Sequence, residues 1–363
     1  MLKILHINAE MELRGGELQT ILLADKLERK GHSSLILCQP GSGTEKESEK
    51  RGVKFKTILM RSDMDFPAAL KISKIAGFYS ADIIHSHNPR ALGISFLARI
   101  AGCGIKHVHT RRVDFPLKSR FFSRLKYSRC PEMIIAVSES VKKVLMNSGI
   151  NGEKIRVIPG GIDKNRFQPG RSGASLRSEF GIPDSSFIIG STSHFSAHKG
   201  HIFLIDAMPE VINVHPDTFL FLVGNGELED DLKSHASSLG IGRHVIFTGF
   251  RDDIEQFLPQ MDIFVFPSFE GEGSPSALKE AILSGIPVIA SDITPVREII
   301  SHNVNGILVE PSNPSAISFA IKKLMTDENL RKELVKNGLE LSCGSFGQEQ
   351  MVSAVENLYY EIL

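Results

Sequence analysis

An α/β protein of two doubly wound parallel-sheet domains in series is predicted by three observations. Short apolar runs alternate with amphipathic segments along the 363 residues, a stretch rich in Gly, Pro and Arg interrupts them, and the alternation then restarts. Strand-then-helix cycles repeated this often give a parallel sheet covered on both faces. The length is about two domains of roughly 150 residues each.

Taken in order, the first strand-like runs are KILHIN (3–8), SLILCQ (34–39), FKTIL (55–59), DIIHSH (82–87), KHVHT (106–110), MIIAVS (133–138) and IRVIP (155–159). Helical patterns lie between them; Leu18, Ile21, Leu22 and Leu27 form one, with Gly31 as its stop. The segment GGIDKNRFQPGRSG has no periodicity and is read as the interdomain connection. A second series follows: FIIGSTS (187–193), FLFLVG (219–224), HVIFTG (244–249), DIFVFPS (262–268), PVIAS (287–291) and GILVE (306–310). The expected domains are residues 1–165 and 166–345. The last segment, 346–363, carries a helical stripe of Met351, Val352, Val355, Leu358, Tyr359 and Ile362, expected to pack back on the first domain. Ligands of such sheets bind at the carboxyl ends of the strands, and two facing domains imply a cleft.

Charge narrows the classes of function. Lys+Arg and Asp+Glu both number 42, so a strongly basic nucleic-acid binder and an acidic disordered chain are excluded, and no nucleic-acid partner is expected. The neutrality is a cancellation: residues 1–165 hold 28 basic and 16 acidic residues, and the remainder holds 14 and 26. A basic first domain could face an anionic membrane or a phosphorylated acceptor. The stretch RRVDFPLKSRFFSRLKYSR (111–129) interleaves cations with Phe115, Phe121, Phe122 and Tyr127, which suits either a membrane surface or a solvated helix with its aromatics in the core. MLKILHINAE lacks the pattern of a signal peptide and no apolar run reaches ~18 residues, so a cytoplasmic protein is expected. Cys38, Cys103, Cys130 and Cys343 are scattered, without metal-site spacing, and read as reduced thiols.

The segment PSFEGEGSPSALKEAILSGIPVIAS (267–291) is the richest in chemistry. A strand runs into a loop of Gly, Ser and Pro, and a helix starts near Pro275. The free amides and positive dipole end of such a helix suit a pyrophosphate. Glu272 in the loop and Glu280 in the helix flank that site, and each carboxylate can accept hydrogen bonds from hydroxyls; a surface loop with incidental acids is the competing reading. In GSTSHFSAHKGH (190–201), after another strand, Lys199 could put its charge on a leaving diphosphate. Gly15 and Gly16, at a strand–helix turn, allow close backbone approach but lack the GxGxxG spacing of a dinucleotide fold.

These stretches resemble the retaining glycosyltransferases of family 4, which have the two-domain GT-B fold of Rossmann-like domains. The match is Glu272 to Glu280, two glutamates separated by seven residues, then Ala281 and Gly285-Ile286-Pro287-Val288. AVSESVKKVLMNSGI, IRVIPGGID, LVGNGELEDDL and VIFTGFRDDI add to it. The resemblance implies transfer of a sugar from a nucleotide-diphosphate sugar to a hydroxyl of a glycan or glycolipid, with retention and without a metal or other cofactor. Its usual setting is polysaccharide or lipopolysaccharide assembly at the inner face of the cell membrane. Front-face attack by the acceptor is the mechanism generally discussed for the family.

By the same resemblance Glu272, Lys199 and His194 are the catalytic set, with His194 standing where the family has Arg. Gly15, Gly16, Phe250, Arg251, Gly273, Ser274, Pro275, Ser276 and Glu280 would bind the donor, Phe250 and Arg251 beside the nucleobase. Arg112 occupies a position where many members have a histidine; His109 is the nearest substitute on the acceptor side, with a buried strand histidine as the alternative. Metal binding by His85, His87, His107 and His109 is not expected, for want of a carboxylate partner. Two further readings stay open: a catalytically silent nucleotide-sugar binder, favoured by the His194 and Arg112 departures, and a sugar-nucleotide epimerase on the same fold.

Overall fold

The computed structural model describes residues 1–117, 120–170 and 175–363, without the side chains of residues 120 and 121. Lys118 and Ser119 of the basic stretch, and 171–174 of the expected connection, lie outside the described residues. The chain divides into two compact units, Met1–Gly161 with Glu349–Leu363, and Ile162–Gln348.

Among the described residues, unit 1 holds seven parallel strands: β1 (Lys3–Ile7), β2 (Ser33–Cys38), β3 (Phe55–Thr57), β4 (Ile83–Ser86), β5 (Lys106–Arg111), β6 (Met133–Ala136) and β7 (Ile155–Val157). Their order is β3-β2-β1-β4-β5-β6-β7. Unit 2 holds six: β8 (Phe187–Thr192), β9 (Thr218–Val223), β10 (Val245–Gly249), β11 (Ile263–Phe266), β12 (Val288–Ser291) and β13 (Ile307–Val309), in the order β10-β9-β8-β11-β12-β13. The order reverses between β1 and β4 in one sheet and between β8 and β11 in the other. Loops leave in opposite directions at such a switch point and open a crevice at the carboxyl ends of the strands. The two sheets match the GT-B architecture.

Both sheets are apolar on both faces, as buried parallel sheets must be. In unit 2 one cluster gathers Ile189, Leu204, Leu220, Val265 and Ile321, and another gathers Phe221, Phe264, Leu278 and Ile300. In unit 1 one face is closed by Leu2, Ile4, Leu23, Ile83 and Val108 together with Met351, Val352, Val355, Leu358 and Tyr359 of the helix Gln348–Ile362. The 3.6-residue stripe of that helix thus covers the sheet that the first residues begin. Three polar contacts flank the apolar seam: Lys26 Nζ to Glu349 Oε1 at 2.8 Å, Lys30 to Glu356, and Arg156 Nη2 to Glu361 Oε2 at 2.8 Å. Each is exposed enough to contribute little alone, so burial is the main tie.

The chain passes between the units earlier than residue 165 and returns later than residue 345. Ile162 and Phe167 are buried in unit 2, and Ile162 N donates to Phe346 O at 2.7 Å. The Gly- and Pro-rich composition marked the connection, but these apolar residues already belong to the second core.

Strand register sets up a polar row in unit 1. His6 lies opposite His85 and His85 opposite Val108. Period-2 alternation then puts His6 and Asn8, His85 and His87, and Thr110 and Arg112 on the face where Ile4 and Val108 are core. Tyr359 reaches this row from the terminal helix, its hydroxyl 2.6 Å from His85 Nδ1, both side chains fully buried. Tyr359→Phe should therefore lower stability by ~1–3 kcal/mol, the cost of a buried unpaired polar atom. Tyr360→Phe, at a residue 51% exposed, should leave it unchanged. The midpoint of urea unfolding checks this, and equal midpoints for the two variants would refute the role given to the Tyr359 hydroxyl.

Candidate functional site

In unit 2 the candidate residues sit on the loops that follow β8 and β11, the two strands of the switch point. After β8 the chain makes a single 3-10 turn, Ala197–Lys199, and Gly200 then takes a left-handed conformation (φ 69°). A Cβ at position 200 would lie 2.2 Å from Pro267 O, so only glycine lets this loop close against the end of β11. Phe269 N donates to His198 O at 3.0 Å and knits the loops together. Lys199 Nζ is thereby held 2.6 Å from Glu272 Oε1, with Glu272 only 5% exposed. A lysine and a glutamate far apart in sequence meet as one ion pair, its carboxylate buried and its ammonium half-buried.

The helix Ser276–Leu283 begins beside them, with Pro275 as its N-cap, one residue before the helix proper. No side chain caps it and no acid lies in its first turn. Its first amides therefore point out of the helix without an internal acceptor, the arrangement that binds anions. Lys279, which the sequence reading did not single out, supports the loop from beneath. It is 2% exposed, and Nζ donates to Ser274 Oγ at 2.6 Å and lies 5.5 Å from the Phe346 ring centroid. Burial pushes its pKa down to about 8.

Glu280 is half-buried one residue further on. Burial pushes its pKa up to about 7, opposed by the Arg166 guanidinium and aided by the like charge of Glu255. Arg166 is itself paired to Glu255 at 2.7 Å. Arg166 and Glu255 are members of this site that carried no sequence signal, because they come from the crossing segment and from the helix Ile254–Phe257.

His194 is held by Glu227, Nε2 to Oε2 at 2.9 Å. Gly224 makes this possible: at φ 139° its Cα faces Ser193 O so closely that a Cβ would lie 2.0 Å away. Glu227, in LVGNGELEDDL, was legible only as part of a family-like stretch. His194 therefore joins the site as an imidazole with a carboxylate partner, distinct from the Lys199–Glu272 pair. Phe250 follows β10 and is 58% exposed. Arg251 beside it is fixed by Glu179 (2.7 Å) and Asp253 (2.8 Å) and lies 4.0 Å over the Phe257 ring.

In unit 1, Gly15 and Gly16 open the helix Gly15–Arg29. Gly16 packs against Arg112, whose Nη2 lies 3.3 Å from His87 Nδ1. His109 does not take the acceptor-side place expected of it. It is fully buried, with Nδ1 2.9 Å from Ser86 Oγ and Nε2 3.3 Å from Tyr127 OH. The odd-numbered positions of this strand end face the other side of the sheet from Arg112. The acceptor-side candidate is Arg112 alone.

His6, absent from the sequence reading, joins His85 and His87 in a cluster whose ring nitrogens lie within 4.8 Å of one another. His6 Nδ1 is 3.1 Å from His87 Nε2, while His85 meets Tyr359 and, at 2.7 Å, Thr110. Burial keeps all three imidazoles neutral, that of His6 down to about 3. A metal ion there would have to displace these hydrogen bonds and sit beside the Arg112 cation. Asp63 and Asp65, two acids separated by one residue, serve local roles: Asp63 binds Lys126 at 3.1 Å and Asp65 caps the helix Phe66–Tyr79.

Comparison with known proteins agrees with this geometry. Residues 13–166 match the family model described as Glycosyltransferase Family 4, and residues 174–341 match Glycosyl transferases group 1. The chain is similar to the UDP-Gal:alpha-D-GlcNAc-diphosphoundecaprenol alpha-1,3-galactosyltransferase of Escherichia coli, 26% identical over 82% of this chain and 80% of the relative. It is similar to the lipopolysaccharide core biosynthesis glycosyltransferase LpsE of Rhizobium meliloti, 25% identical over 96% of this chain and 95% of the relative. Among solved structures, Anabaena HepE in complex with UDP and glucose has the same fold, with a TM-score of 0.89 over 99% of each chain at 22% identity. With its two halves matched one after the other, the protein belongs to the glycosyltransferases of family 4 and group 1.

Proposed function

We propose that the protein is a retaining glycosyltransferase that works without a metal ion. It moves a sugar from a nucleotide-diphosphate sugar to a hydroxyl of a glycan or glycolipid, in the assembly of cell-surface polysaccharide or lipopolysaccharide. Unit 2 is the nucleotide-sugar domain and unit 1 the acceptor domain. The observation that carries this reading is the Lys199–Glu272 pair at 2.6 Å, set beside the uncapped start of the helix Ser276–Leu283. The names of the relatives support it: the E. coli protein is named for a UDP-Gal donor and a diphosphoundecaprenol-linked acceptor, and the HepE complex holds UDP and glucose. A uridine nucleotide is accordingly the first donor to test.

The chemistry follows from charge. The bond between the sugar's anomeric carbon and the diphosphate breaks, and one to the acceptor oxygen forms on the same face. The acceptor proton passes to the departing phosphate oxygen. Negative charge grows on the leaving diphosphate, where Lys199 and the amides of residues 274–276 can receive it without reorganising. That positive charge fills the role a divalent cation takes in other transferases. Glu272 holds Lys199 in place and accepts hydrogen bonds from the sugar, while Glu280 binds the ribose. His194, backed by Glu227, supplies a donor on the other side of the diphosphate.

The setting is the inner face of a membrane. Among the described residues no helix is long and apolar enough to cross one. Counted by structural unit, unit 1 has 27 basic and 18 acidic residues, and Phe122 of the helix Arg120–Arg129 is 66% exposed. Lys126 of that helix is engaged by Asp63, so its charge is partly spent within unit 1.

Thermal-shift screening against UDP, GDP and ADP with their sugars identifies the nucleotide, since a ligand at 100 times its Kd stabilises by about 2.7 kcal/mol. Glu272→Gln should then lower kcat by about 10²–10³ while nucleotide affinity stays within a few-fold. Near-normal turnover would remove Glu272 from the mechanism. A pH titration tests Glu280. Its carboxyl is neutral below about 7 and must lose a proton before it can accept two ribose hydroxyls. Nucleotide binding should thus strengthen as the pH rises from about 6 to about 8. Glu280→Gln should flatten that rise, leaving only the ionisation of the nucleotide itself; identical pH profiles would count against the ribose contact.

A further inference from the structure

The helix Phe66–Tyr79, which follows the edge strand β3, turns large apolar side chains to the solvent. Its inward face is made of small or slender residues: Ala68, Ala69, Ile72 and Ala76 join Leu5, Ile7 and Ile94 in a core of unit 1. That packing is complete without an aromatic side chain. Phe66, Leu70 and Phe78 stand instead at positions i, i+4 and i+12 of one outward stripe, and all three are exposed, Phe78 by 93%.

The charges of this face are of one sign. The remaining position of the stripe, i+8, is Lys74, and Lys71 lies about one turn before it. Both are exposed, and neither pairs with a carboxylate of a described residue. The helix contains no acid. Asp65, just before it, is spent as the N-cap, accepting from Ala68 N at 3.0 Å, and Asp63 is spent on Lys126. A convex line of apolar residues and cations is what lies in the interface of an anionic bilayer, with the rings below the headgroups and the lysine stems reaching up to the phosphates. A protein partner would have to set an acid against each lysine and still pack on the rings between them.

The position of the helix suits the same occupant. Arg61, Ser62 and Asp63, directly before it, line an open hollow of about 430 Å³ with Glu10, Pro89 and Arg90, beyond the carboxyl ends of β1 and β4. Seating the helix on a bilayer brings that hollow towards the headgroups, where a lipid-linked hydroxyl would be presented. The helix Arg120–Arg129 is less suited, since Tyr127 is buried and Lys126 is bound by Asp63.

We propose that the outward stripe of the helix Phe66–Tyr79, with Lys71 beside it, is the surface by which unit 1 docks on an anionic lipid bilayer. This rests on the membrane setting of the reading above and assigns it to one defined face in place of a diffusely basic domain.

The test floats the full-length protein with vesicles of phosphatidylcholine alone and of phosphatidylcholine mixed with phosphatidylglycerol. Wild type should bind the mixed vesicles, and bind them less as salt rises. Phe78→Ser should lower the partition coefficient about tenfold, through loss of one buried ring. Lys71→Gln combined with Lys74→Gln should also lower it about tenfold and flatten the salt dependence. Phe319→Ser, which removes an exposed ring from unit 2, should float as wild type does. Failure of wild type to float with the mixed vesicles would overturn the proposal, and so would binding that is lost in Phe122→Ser and kept in Phe78→Ser. A wild-type dimer in sedimentation velocity that Phe78→Ser splits would overturn it as well, by giving the face to a second copy. UDP affinity is measured on the same samples: vesicle binding without nucleotide binding would tell against the proposed function and leave this surface standing.

Discussion

All the strands of a parallel sheet end on the same side, and that constraint organises both units. A strand end must either be capped by packing or expose its last side chains to whatever fills the crevice at the switch point. Unit 2 places charge there: Lys199 after β8 and Glu272 after β11 neutralise each other across the reversal in strand order. Unit 1 buries its counterpart as a row of neutral imidazoles and amides that ends in one unneutralised cation, Arg112. The same topology thus produces one site whose charges are paired before any ligand arrives and one whose charge is not.

How much of this is legible in the sequence depends on distance along the chain. The strands and their order of appearance follow from period and composition, because burial of a parallel strand leaves a continuous apolar run. Glu272, the loop of residues 273–275 and Glu280 are legible because a strand, a loop and a helix start are contiguous, so spacing alone carries the geometry. His6, Arg166 and Glu255 are not, since each acquires its meaning from a residue brought up by register or by the crossing segment. His109 and Arg112 differ by three positions and so fall on opposite faces of the sheet end. The alternation was there to read, but which face is covered by the terminal helix is a tertiary fact. Lys279 is a similar case: inside a helix pattern it reads as a solvated cation, and only the fold puts Phe346 beneath it.

Charge follows the same logic. The zero net charge hides an excess of basic residues in unit 1, and part of that excess is spent internally. Lys26, Lys30 and Arg156 meet acids of the returning helix, and Lys126 meets Asp63. What remains free to act outward is smaller than the composition alone implies, which puts more weight on cations such as Arg112 that have no acidic partner within ion-pair distance.

The returning helix has a bearing on how the protein is made. The apolar face over Leu2, Ile4 and Val108 is covered partly by Leu23 and Leu27 of the helix Gly15–Arg29, and its closure is completed by Met351, Val352, Val355, Leu358 and Tyr359, which follow unit 2 in sequence. During synthesis the ribosome must complete all of unit 2 before that closure is possible. For the interval of translation, at about 5–20 residues per second, the first half of the protein waits with that face only partly covered. Unit 2, uninterrupted in sequence from Ile162 to Gln348, can finish folding first. The order of synthesis and the order of completion are thus reversed, and the nascent first half is the part with most to gain from a chaperone.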